Sequence, residues 1–214
     1  YYFKYTKGAD SKEFQTFGQM TDLRQTYSSE TLFPIFKNRL LSKSRPEYED
    51  FLNWLDIPKT DEKNDLLELA RSGGIRATDD LQLFPMPEKN KDGKYEVLFF
   101  SHGLSYVAEN YTQRLSLLKK NDKLLIMKDI QNPIDNNALV LRTKEDPVEI
   151  LGYCPSFFIA DFNKLIKSNT SEEVQVCIQK INNNAPFQLK LLCKFTTDWP
   201  NDFVAFNDEV FLPY

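Results

Sequence analysis

Apolar and polar positions change their spacing along this chain, and the changes predict its elements. From Tyr1 to about Tyr27 aromatic residues alternate with polar interruptions, the pattern of short strands and loops. Around residues 44–55, Tyr48, Phe51, Leu52 and Leu55 follow the i, i+3, i+4, i+7 spacing of one helical face. Ser44 and Glu47 offer a capping box ahead of it, with Pro46 in the first turn. A second helix is expected from about Asp61 to Arg71, stopped by Gly73-Gly74. "LQLFPMP" and "YEVLFFS" flank Lys91-Asp92-Gly93-Lys94, which predicts a hairpin on an Asp-Gly turn.

Beyond that turn the spacing becomes mostly that of strands, over 124–128, 138–142 and 148–153. Pro155 opens a helix whose Phe158, Ile159, Phe162, Leu165 and Ile166 share a face. Two longer strands follow. In the second, Phe187, Leu189, Leu191, Cys193 and Phe195 alternate, and Cys177 and Cys193 are both expected to face a core. The fold class is therefore α+β, with a boundary near residues 88–96. A mixed α/β region at 1–94 precedes a mainly β unit at 95–214.

Composition narrows the function. With 41% hydrophobic and 14% aromatic residues in 214, the chain can bury a substantial core. No apolar run approaches the ~20 residues needed to span a bilayer, and no signal peptide is visible. Three widely spaced cysteines point to reduced thiols, hence a cytoplasmic protein. The net charge is −4, and residues 1–96 carry 15 basic and 17 acidic side chains, so neither half is a basic tail. A nucleic-acid site would have to be local. Catalytic signatures are sparse. The single histidine, His102, stands beside Ser101 in sequence rather than on a nucleophile elbow, and beside a Gly it reads first as structural. No phosphate-cradling loop carries a Lys, and the cysteines and His102 lack metal-ligand spacing. These observations predict no enzyme activity, no metal and no cofactor, and so a binding protein.

The stretch "KDIQNPIDNNALVL" places amides and a carboxylate between two apolar runs. Asn132, Asp135 and Asn137 either build a tight turn or edge a ligand site. Around it lie, in order, "HGLSYV", "KNDKLLIMKD", "NPIDNNALVL", "LGYCP" with the helix after it, and "NNNAPFQLKLLC". This ordered set, over roughly Val97 to Phe195, resembles a HIRAN domain. The resemblance implies a small OB-like β-barrel with a flanking helix, and binding of single-stranded DNA ends with the 3′-hydroxyl held in a pocket. Members occur fused to DNA-remodelling helicases or alone in bacteria.

By that resemblance Asp135 accepts the terminal hydroxyl, Asn132 braces the turn or contacts the sugar, and Asn137 completes the motif. Tyr106 and Phe187 are placed to stack bases. The plainer alternatives are a half-buried barrel residue for Tyr106 and core packing for Phe187. Two positions depart from the family pattern: Ile134 stands where an aromatic is common, and Ser105 where an Arg is common. "FKYTKGA", "YSSETLFPIFKNRLL" and "LLELARSGG" are more faintly similar to the N-terminal subdomain of HipA-type kinases, without the catalytic lobe. There Phe33, Phe36 and Leu40 read as core. Lys37, Arg39, Lys43 and Arg45 read as a solvated face or a basic ridge. The leading function is thus a bacterial DNA-binding module in repair, mobile-element or phage-defence work, with single-stranded DNA or its 3′ ends as partner and a helicase or HipA-like protein beside it. The alternative is a non-catalytic component of a HipA-like toxin–antitoxin assembly. A metal-dependent nuclease is the most distant reading.

Overall fold

The computed structural model describes residues 1–61, 64–104 and 111–214. An α+β fold is built around one six-stranded antiparallel sheet. Its strands are β3 (Lys94–Phe100), β4 (Lys123–Lys128), β5 (Leu139–Thr143), β6 (Ile150–Tyr153), β7 (Gln175–Ile181) and β8 (Leu191–Asp198), ordered β3-β8-β7-β4-β5-β6. The sheet curls until its two ends meet. Just past β3, the His102 N–H donates to the Tyr153 carbonyl and the Tyr153 N–H to the His102 carbonyl, both at 2.9 Å. The Ser101 hydroxyl adds a 2.6 Å bond to the Leu151 carbonyl. This approach leaves no room for a side chain at Gly152. Its φ is +94°, and a Cβ there would lie 2.3 Å from Ser101 Oγ and 2.5 Å from the His102 carbonyl oxygen.

The helix expected after Pro155 forms as α5 (Ile159–Ser168) and fills the concave side. Phe162 stacks on Phe195 with ring centroids 4.0 Å apart, and Phe158, Leu165, Tyr95 and Leu151 close around them. Each such fully buried large apolar side chain contributes about 2–3 kcal/mol by area. Before the sheet come two short strands, β1 (Tyr2–Phe3) and β2 (Tyr27–Ser28), and three helices, α1 (Pro34–Lys37), α2 (Tyr48–Trp54) and α3 (Asp65–Ser72). α4 (Tyr111–Leu117) lies between β3 and β4. No helix among the described residues is long and apolar enough to cross a membrane.

Several expectations need correction. The Ser44–Glu47 capping box does not form. The Ser44 hydroxyl pairs with that of Ser42 and the Glu47 carboxylate takes Arg45, so α2 begins only at Tyr48. Its apolar stripe nevertheless packs as expected, with Tyr48, Leu52 and Leu55 buried. α3 takes its cap from Asn64, whose side chain accepts from the Leu67 N–H, and it ends on Gly73 at φ +73°.

The Asp-Gly turn exists, tightened by Asn90, but "LQLFPMP" is not the partner of β3. Two prolines deprive that stretch of ladder donors, and β3 pairs with β8 instead, Lys94 opposite Asp198 through Phe100 opposite Leu192. β8 is shorter than expected, because Phe187–Leu189 forms a 3₁₀ turn. Cys193 is fully buried, whereas Cys177 points to the opposite side of β7 from Val176 and Ile178 and is only half-buried. Arg39 is not a solvated side chain. It is 94% buried by its 6% side-chain exposure, and its guanidinium donates to the carbonyls of Gly74 and Leu81 and to Asp79.

β8 is buried on both faces. Leu191, Cys193 and Phe195 face the main core, while Leu192 faces α2. There Leu52, Leu55 and Ile57 join Phe100, Ala185 and Leu189 in a second cluster. A third, aromatic cluster gathers Phe3, Tyr5, Phe14 and Phe17 near the N-terminus. The C-terminal segment returns to it, with the Lys7 N–H donating to the Leu212 carbonyl at 2.9 Å and Tyr214 bonded to Asp10.

Candidate functional site

The β4–β5 connection, residues 129–138, is closed at its base by the Asp129 N–H donating to the Ala138 carbonyl at 2.9 Å. Asp129, Asn132 and Asp135 bond its own backbone through their side chains. Asn132 Oδ1 accepts from the N–H groups of Ile134 (2.9 Å) and Asp135 (3.0 Å). Asp135 Oδ1 accepts from the Asn137 N–H at 2.8 Å, and Asn137 Oδ1 accepts from Lys128 Nζ at 3.2 Å. The bonds to backbone N–H groups are the Asx bonds that such residues form in turns. Asn132 and Asn137 are thus committed to shaping the loop. Asp135 is half-buried and differs from them: its second carboxylate oxygen accepts no hydrogen bond among the described residues. Ile134, beside it, is 95% exposed.

The loop is fixed to the sheet closure from below. The Tyr153 hydroxyl donates to Asp129 Oδ2 at 3.0 Å, and Tyr153 is the residue whose backbone pairs with His102. Burial, and after it the Asp129 carboxylate, raise the Tyr153 pKa. Sequence reasoning passed over both residues, although Asp129 precedes the motif by three positions and Tyr153 stands in the quoted "LGYCP". Gly103, at φ +70°, lies against the Tyr153 ring, where a Cβ would come within 3.1 Å. His102 is kept neutral by burial, which lowers its pKa. The Ser101 hydroxyl is buried and committed to the Leu151 carbonyl, so Ser101 and His102 form no nucleophile–base pair. Phe187 stands on another connection, between β7 and β8. It is 51% exposed rather than packed in the core, with Lys190 Nζ 5.0 Å from its ring centre. Tyr106 and Ser105 lie outside the described residues.

The structure thus gathers Asn132, Asp135 and Asn137 in one loop, and gives Phe187 an exposed face on a different one. It also adds a feature that reading Arg39 and Arg45 as a solvated face did not predict. A cleft of about 470 Å³ between the N-terminal helices and the sheet is lined by Arg39, Arg45, Arg71, Arg76 and His102. Among the described residues no group of His, Cys, Asp and Glu is arranged to hold a metal ion.

Residues 94–199 match the family model of the HIRAN domain. No curated protein matches the chain. Among solved structures, a protein from Lactobacillus plantarum is 16% identical, with a TM-score of 0.36, over 49% of this chain and 99% of its own. The HIRAN domain of human HLTF is 14% identical, with a TM-score of 0.35, over 51% of this chain and 84% of its own. The family match begins at Lys94, so the HipA-like resemblance of the preceding residues rests on sequence alone. The match runs from the first residue of β3 to one residue past β8 and takes in the whole curled sheet, α5 and the 129–138 loop. Residues 94–199, just under half of the chain, therefore resemble a HIRAN domain.

Proposed function

We propose that the protein binds single-stranded DNA at its 3′ end, and that it acts by binding rather than turnover. The observation that carries this reading is the arrangement of Asp135. One oxygen is held by the Asn137 N–H, which fixes the carboxylate, and the other is left to accept from a ligand. A carboxylate accepts a hydrogen bond from a terminal hydroxyl but repels a phosphate, so this group distinguishes an end from the middle of a strand. Asn132 and Asn137 serve by holding the loop. Phe187 offers an exposed ring for a base, and Tyr106 supplies a second by resemblance to the family. Base–aromatic stacking is worth ~1–3 kcal/mol. The protein as a whole is acidic, and Ile134 and Ser105 remove one stacking surface and one phosphate contact, which sets the expected affinity at the micromolar level.

Fluorescence anisotropy with short oligonucleotides bearing a free or a phosphorylated 3′ end tests this directly. Wild type should prefer the free hydroxyl, and Asp135→Asn should abolish the preference while retaining residual affinity. Tyr106→Ala should weaken binding about ten- to a hundredfold. Equal binding of both ends by wild type would refute end reading.

A further inference from the structure

The arginine-lined cleft is unusual for this chain. Four of its seven arginines line one space, and among the described residues no Asp or Glu does. The cations come from the N-terminal region: Arg39 and Arg45 from the segment between α1 and α2, Arg71 from the last turn of α3, and Arg76 just beyond it. The opposite wall belongs to the HIRAN-like region and includes His102, Phe157 and Gln188. Phe157 stacks on Phe84 at 4.3 Å, giving the cleft an aromatic floor.

Neutralisation of these arginines is incomplete. Asp79 pairs with Arg39, and Glu47 pairs with Arg45 on the surface. Arg71 makes no ion pair among the described residues; it donates to the Leu55 carbonyl, and Asp56 acts on it only from farther away. Arg76 likewise makes none there, and is exposed. Arg39 Nε is buried without a hydrogen-bond partner. A partly buried guanidinium without an ion pair, as at Arg71, is costly, and an anion entering the cleft would relieve that cost.

We infer that this cleft binds the backbone phosphates of the same single strand, as an extension of the nucleic-acid site supplied by the N-terminal region. The inference rests on the strand-binding reading above. Arginine is suited to phosphate through its fixed fork of donors. The lining of the cleft also includes immediate neighbours of elements that carry both proposed strand contacts. Gln188 adjoins Phe187 in sequence, and His102 is paired with Tyr153, which anchors Asp129 at the base of the end-reading loop. A magnesium nucleotide fits less well, because among the described residues no carboxylate lines the cleft to share in holding the metal.

The test uses the full chain and labelled oligothymidylates of about four and about twelve nucleotides, both with free 3′-hydroxyls. Arg45 and Arg76 are exposed, so Arg45→Gln/Arg76→Gln should leave the melting temperature unchanged. Wild type should bind the longer strand more tightly, and the double variant should lose about tenfold on that strand and little on the shorter one. Its dependence of log affinity on log salt should be shallower by about 1.4, the contribution of two phosphates on a single strand. Arg76→Gln alone should give about half that change. The hydroxyl preference should persist in both variants.

If the double variant binds the longer strand as wild type does, while Asp135→Asn still loses end preference, the cleft is not a strand site and the end-reading proposal survives. Should the double variant lose affinity while wild type ignores the state of the 3′ end, the cleft inference stands and end reading falls. Competition by thymidine monophosphate as strong as that of the strand would make the cleft a mononucleotide pocket and overturn the inference. Absence of oligonucleotide binding by wild type at low salt would overturn both.

Discussion

Single carboxylates in this molecule have opposite duties, and their surroundings decide which. Asp135 is held at a loop with one oxygen open, whereas Glu68 is 3% exposed and fully engaged. Its two oxygens accept from the Leu41 N–H at 2.9 Å and the Tyr48 hydroxyl at 3.1 Å. Even so, desolvation outweighs both bonds and raises its pKa. The folded state therefore binds the Glu68 proton more tightly than the unfolded chain does. Its contribution to stability is complete below the ordinary glutamate pKa and is lost as pH rises through the raised value. Glu68→Gln keeps an acceptor for the Leu41 N–H but removes the charge. Denaturant titrations from acid to neutral pH should show the variant gaining on wild type as pH rises; a constant difference would mean that Glu68 titrates normally. Nothing in the local sequence around Glu68 announced this role, because its partners lie 20 and 27 residues away. The Asn and Asp side chains of the 129–138 loop were legible, since their bonds run to backbone groups two or three residues off.

The same rule separates the elements that the sequence predicted from those it did not. The stripe of α2, the Gly73 stop of α3, strands β4 to β7 and the buried face of α5 all follow from spacings within one segment. The pairing of β3 with β8 depends on residues nearly 100 positions apart, and the prediction of a local hairpin failed there. The two-sided burial of β8 was also hidden, since Leu192 is covered by a helix that precedes the sheet in sequence. Sheet closure is another long-range event, although Gly152 and Gly103 mark it. Gly152→Ala would need a left-handed backbone with a side chain and would push a methyl into Ser101 and the His102 carbonyl. Strain of about 1–2 kcal/mol from the backbone and a similar amount from overpacking give an expected loss of about 3 kcal/mol. Adding Ser101→Ala should rescue only part of it, because the His102 contact is to backbone. Urea midpoints of the single and double variants measure both effects, and an unchanged midpoint for Gly152→Ala would show that the closure is loose.

At the scale of the molecule, the boundary expected at residue 94 coincides with the start of β3, and three sets of contacts cross it. The α2 stripe covers the outer face of β3 and β8, Phe84 stacks on Phe157 and Phe206, and the C-terminal segment bonds to residues 7 and 10. Tyr48, Leu52 and Leu55 remove Phe100, Leu189 and Leu192 from water, and each large apolar side chain so buried is worth about 1.5–3 kcal/mol. A fragment starting at Lys94 keeps every strand of the curled sheet but uncovers that face. It also loses all four cleft arginines, which belong to the other part of the chain. The 94–214 fragment should therefore be several kcal/mol less stable than the whole chain in urea and should bind a hydrophobic dye that the whole chain does not. If it retains the 129–138 loop in order, it should still discriminate a 3′-hydroxyl from a 3′-phosphate on a short strand. It should not gain affinity with strand length, because the phosphates beyond the end would have no arginines to meet. A fragment as stable as the whole chain would show that residues 1–93 are a separable unit, and the helical region would then have to be explained by something other than its hold on the sheet.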